Sequence, residues 1–102
     1  AGDHQNALDV SKQSLALSQQ LGDLTSQATV YKIQGTIYTS MKQPQQAIEA
    51  YHQELKLAKQ IGDTSNQTYP LYKIAIIERD RGNLNQAKTQ IETAIKLIES
   101  IR

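Results

Sequence analysis

No cysteine occurs among the 102 residues. That excludes disulfides, thiol nucleophiles and thiolate metal sites, and it leaves the redox compartment open. Long apolar runs are missing too: the densest, in KIAIIE at 73–78, falls far short of the roughly 20 apolar residues of a membrane-spanning helix. Charge of one sign is scarce, because 11 Lys and Arg against 10 Asp and Glu leave a formal net charge of +1. So weak an overall field recruits neither nucleic acid nor an anionic membrane. No stretch alternates apolar and polar residues with period two, so no strand is expected. The chain opens on Ala1 without a charged region leading into an apolar one, and it reads as a piece of a longer protein with no visible signal peptide. With 38% apolar and 21% charged residues, it is expected to be a soluble, globular, cytoplasmic chain of one domain, 1–102, with a modest core.

What the chain does have is an internal repeat. LGDLTSQA at 21–28 returns as IGDTSNQT at 61–68, and Ala7, Ala47 and Ala87 are spaced by 40 residues. The same register aligns Leu15, Leu55 and Ile95, then Leu17, Leu57 and Leu97, and pairs Gly2 with Gly82. A fixed period of this size marks a stacked array of one supersecondary unit. The units fall at 2–41, 42–81 and 82–102, two and a half in all.

Each full unit carries two helical patterns. Ala47, Tyr51, Leu55 and Ala58 form one stripe, widened by Ala50, Leu57 and Ile61; Val30, Gln34, Ile37 and Met41 form another, flanked by Tyr31, Gly35 and Tyr38. Five helices are expected at about 4–21, 25–41, 44–61, 65–81 and 84–101. Gly22-Asp23 and Gly62-Asp63 supply a left-handed stop followed by an N-cap. Pro44 suits a first helical position, Asp3 is a candidate cap, and Asn83 with Gln86 reads as a capping box. Pro70 predicts a disturbed start to the fourth helix. Gly35, mid-helix, costs about 1 kcal/mol against alanine; close approach to a neighbouring helix at Ala47 is the expected compensation.

Catalytic chemistry finds little support. His4 and His52 sit on different helices without a second ligand at the right spacing, and no serine has an activating context. The glycines match no phosphate-binding pattern. Glu49, Glu54, Glu92 and Glu99 fall on polar helix faces, where solvation is the ordinary role. The chain is expected to be no enzyme and to need no cofactor or metal. A binding surface is better supported. Opposite the core stripe of the second helix lie Thr29, Lys32, Ile33 and Thr36. Forty residues on, the same face carries Tyr69, Tyr72, Lys73, Ile76 and Arg79. Two tyrosines and an isoleucine stand where water is expected, unless Tyr72 and Ile76 cover the edge of a neighbouring helix.

The spacing of Gly35, Tyr38, Ala47 and Tyr51, with Ala75, Ala87 and Ala94 in the next unit, resembles the tetratricopeptide repeat; Glu78 and Ile91 depart from its aromatic positions. The longer period and the Gly-Asp hinge are similar to the repeats of kinesin light chains, spindle-orientation adaptors and bacterial signalling proteins. The resemblance implies an all-α, right-handed solenoid of stacked antiparallel helical hairpins. It implies a protein- or peptide-binding scaffold whose groove is lined by Lys32, Thr36, Tyr69, Tyr72, Lys73, Ile76 and Arg79. An effector-sensing regulatory arm and a purely structural spacer are the alternatives. The partner is expected to be protein or peptide, not nucleic acid or membrane. The uncapped ends, with Leu97, Ile98 and Ile101 at one of them, predict self-association.

Overall fold

A computed structural model describes residues 2–101. Five α-helices follow one another with no strand between them: α1 (Gly2–Leu21), α2 (Leu24–Ser40), α3 (Pro44–Ile61), α4 (Thr64–Asp80) and α5 (Leu84–Ser100). Each packs on its neighbours in sequence, α2 on α3 and α4 on α5 most extensively. The result is the all-α, stacked-repeat architecture that the period implies. It is a slab of 36 × 31 × 15 Å. Since a helix with side chains is about 10–12 Å across, the short dimension leaves every helix close to solvent on some side. Burial at any position therefore depends on which neighbour covers it.

Local chemistry explains most helix ends. Asp23 accepts the backbone N–H of Ser26 at 3.1 Å and Asp63 that of Asn66 at 3.1 Å, so both act as N-caps. The Ser26 hydroxyl also bonds Asp23, and these bonds hold its carboxyl below the ordinary value. Gly62 closes α3 at φ +82°, with its N–H on the carbonyls of Ala58 and Lys59. Left-handed φ costs glycine nothing and a side-chain-bearing residue about 1–2 kcal/mol. Lys42 carries that cost, at φ +59° in the turn between α2 and α3.

Three expected ends differ. Asp3 lies inside the first turn of α1, where it opposes the helix dipole, rather than at the cap. Asn83 makes no capping hydrogen bond; its amide donates instead to Glu78 Oε1 at 3.2 Å. The start of α4 is orderly despite Pro70: the Asp63 cap fixes it, and the helix runs on through a fully buried proline. Burial of the ring offsets the one helical hydrogen bond that Pro70 cannot donate to Asn66.

The core forms where three layers overlap. Ala47, Ile48 and Tyr51 of α3 meet Ile74 and Ile77 of α4, with Tyr38 and Tyr69 packed against them. Leu55 meets Leu71 and Ala94, so α3, α4 and α5 close over one another further along. On the α1 side the contact is more polar: the Gln34 amide donates to the Ser11 hydroxyl at 3.2 Å, both buried. The close approach at Gly35 is nearest to Tyr51 rather than to Ala47. A Cβ on Gly35 would stand 2.6 Å from Cε1 and Cζ of Tyr51, one turn further along α3.

Candidate binding groove

The candidate groove residues lie on α2 and α4 over α3. Lys32 reaches from α2 to the Tyr69 ring on α4, with its Nζ 4.6 Å from the ring centroid, and Lys73 Nζ lies 5.5 Å from the same centroid. Tyr69 is half-buried, not the freely exposed residue its helical face suggests. It meets Tyr51 edge to face with centroids 6.2 Å apart, which fixes the platform under the two ammonium groups. Thr36 joins through its hydroxyl, which donates to the Lys32 carbonyl at 3.2 Å and shares a hydrogen bond with the Tyr51 hydroxyl at 3.2 Å, in which either group can donate. Burial pushes the Tyr51 phenol up, partly offset by that hydrogen bond.

Tyr72, Ile76 and Arg79 lie on the α5 side of α4 instead. Tyr72 is 53% exposed and lines a hollow with Ile91, Ile95 and Ile98, while Ile76 and Arg79 line its continuation beside Ala87 and Lys88. Arg79 is paired with its neighbour Asp80 at 3.2 Å, both well exposed. Of the seven candidates, Lys32 and Lys73 flank the Tyr69 ring, Thr36 meets Tyr51, Tyr72, Ile76 and Arg79 lie against α5, and Tyr69 borders both regions.

The 40-residue register gives the second group a meaning. Tyr72, Ile91, Ile95 and Ile98 are the equivalents of Lys32, Tyr51, Leu55 and Ala58. Around that first set Tyr51, Leu55 and Ala58 are buried, with α4 packed on Tyr51 and Leu55. One unit on, Ile95 is 48% and Ile98 46% exposed.

Glu54 is the residue that sequence reasoning misplaced. It is on no polar surface: only 3% of it is exposed. Its Oε2 lies 3.8 Å from Lys32 Nζ, an ion pair too long for a hydrogen bond, and its Oε1 has no hydrogen-bond partner. Burial raises its pKa to about 7, against the lowering by Lys32. The carboxylate borders a hollow of about 60 Å3 whose walls include Ala28, Thr29, Ala58, Ile61, Asp63 and Asn66. The wide apolar arc of α3 was the available signal, since Glu54 lies three residues from Tyr51 and four from Ala58 and so falls inside that arc.

Among the described residues no three metal-ligating side chains come together, and no helix is long and apolar enough to cross a membrane.

This stack of short-linked helices, with small residues buried at the contacts, defines a helical-repeat protein. Residues 1–60 match the tetratricopeptide-repeat family, to which the chain belongs. Repeats of this family serve generally as protein-interaction scaffolds and are typically non-catalytic. No curated protein matches the chain.

Proposed function

We propose that the chain is a non-catalytic, cytoplasmic scaffold module that binds a protein segment, extended or helical, along α2 and α4. The observation that carries this reading is the convergence of Lys32 and Lys73, from two successive units, on the Tyr69 ring. An aromatic platform flanked by two ammonium groups suits a ligand with an apolar side chain next to a carboxylate. Near-zero net charge supports the same reading, because attraction to an acidic ligand must then come from the groove. Tyr72 and Ile76 extend the surface with exposed aromatic and aliphatic area of the kind that anchors interfaces.

The test begins with the partner captured by the intact parent protein and titrated against variants. Tyr72→Ala should weaken binding by about 1–3 kcal/mol, the range of an interface anchor. Lys73→Ala should make the remaining binding less sensitive to salt. A normal affinity per folded molecule in both variants removes the groove.

A second reading is favoured by the uncovered face of Tyr72, Ile91, Ile95 and Ile98. If a further helix covers it as α4 covers the preceding unit, this half of the surface is a stacking contact and the chain is in part a spacer. Under that reading Tyr72→Ala lowers the melting temperature of the longer array and leaves partner affinity intact.

A further inference from the structure

The repeat does not call for a carboxylate at the position of Glu54 in every unit. Forty residues on, its place is taken by Ala94, which is also buried, and the place of Lys32 by Tyr72. The next unit therefore carries no charged pair at these two positions. The acidic residue of the 42–81 unit carries an uncompensated cost, since its Oε1 has no hydrogen-bond partner although the side chain is only 4% exposed.

Most polar atoms around the adjoining hollow are acceptors, the Lys32 ammonium and the second amide N–H of Asn66 being donors among them. Thr29 donates its hydroxyl to the Thr25 carbonyl at 3.1 Å, which leaves its oxygen lone pairs. Asn66 donates its amide to Asp63, which leaves its side-chain carbonyl. Glu54 and Asp63 bring two carboxylates against the single ammonium of Lys32. The helix N-termini, which elsewhere draw anions, are already capped here by Asp23 and Asp63. Acceptors predominate around a cavity of about 60 Å3, several times the ~10–15 Å3 that one water needs.

We propose that this hollow receives one arginine side chain of the segment bound along the groove, with its stem against Ala28, Ala58 and Ile61 and its guanidinium on Glu54. Guanidinium offers five donors and no acceptor, which matches the lining better than any group that must also accept. The proposal rests on the peptide-binding reading and adds a requirement to it: a basic residue a short distance from the acidic one that Lys73 attracts. Lys32, already shared between Glu54 and Tyr69, turns toward the ring as the guanidinium takes over the carboxylate.

The charged and titratable groups around Glu54 are Lys32 from α2, Tyr51 from α3 and Asp63 at the start of α4. Glu54 changes charge near neutrality, at about 7, so arginine should bind more tightly at pH 8 than at pH 6.

The experiment is a nuclear magnetic resonance titration of the whole chain at pH 8. The probes are N-acetyl-arginine methylamide and its neutral isostere N-acetyl-citrulline methylamide. The arginine probe should move the Glu54 carboxyl carbon and the amides of Thr29 and Asn66, with an affinity about tenfold above citrulline, as one charge-assisted hydrogen-bonded contact gives. It should also draw the Glu54 titration midpoint below its value in the free protein. Glu54→Gln, which keeps shape and removes charge, should erase the difference between the probes. Equal responses to both probes, an unmoved Glu54 carboxyl, or a preference that survives Glu54→Gln overturns the proposal. If a partner binds through Tyr72 and Lys73 with no preference for arginine, the groove stands and the hollow falls. If the arginine probe binds through Glu54 but no partner depends on Tyr72 or Lys73, the hollow stands and the groove falls.

Discussion

The ring of Tyr51 lies so close to the backbone of Gly35 that a Cβ at position 35 would stand 2.6 Å from two of its carbons. Tyr51 is 2% exposed and edge to face with Tyr69, so the ring has little room to withdraw. Gly35→Ala sets a helix-propensity gain of about 1 kcal/mol against overpacking of about 1–3 kcal/mol. The clash should win, and urea denaturation should show a net loss of stability. In a Tyr51→Leu background the same substitution should cost less or even stabilise, which a double-mutant cycle measures directly.

Lys42 occupies the same turn position as Gly82, at φ +59° against +83°. Lys42→Gly removes left-handed strain that an L side chain incurs, though added freedom in the unfolded chain offsets part of the gain. The expected outcome is a stabilisation of up to about 1 kcal/mol, read as a higher melting temperature. A lower one would mean that the lysine side chain contributes more than its backbone costs.

Glu54 should make stability fall as pH rises. Its folded pKa, about 7, lies above the ordinary carboxyl value, so the folded state holds a proton that the unfolded state has released. That contribution is fully present below the unfolded pKa and is lost as pH climbs through the folded value; linkage puts it on the order of 2–3 kcal/mol. Glu54→Gln should therefore stabilise the chain at pH 8 by more than at pH 4. Chemical denaturation of both forms across this range is the check. Parallel stability profiles would show the carboxyl to be solvated.

The face of Tyr72, Ile91, Ile95 and Ile98 should drive self-association of the isolated chain. Ile95→Lys together with Ile98→Lys places charge on two residues that are already nearly half exposed, so the fold should tolerate it. Sedimentation should show concentration-dependent association of the wild type and a monomer for the variant. A wild type that stays monomeric at high concentration removes the prediction.

Sequence alone determined the five helices, the Asp23 and Asp63 caps and the repeat register. A cap reaches three residues and a helical stripe recurs every three or four, so both are written locally. The register also predicted that Ala7, Ala47 and Ala87 play one role, and there local information ends. Ala47 is completely buried and Ala87 nearly so, while Ala7 is exposed, since none of the described helices lies over that face of α1. Tertiary structure likewise chose Tyr51 over Ala47 as the neighbour of Gly35, drew Tyr69 half inward and enclosed Glu54 beneath Lys32. It also spread the seven groove candidates across two sides of α4, with Tyr69 reaching both. Each of these outcomes depends on which neighbouring helix lies over a residue, and in a slab little more than one helix thick that neighbour decides whether the same position meets protein or water.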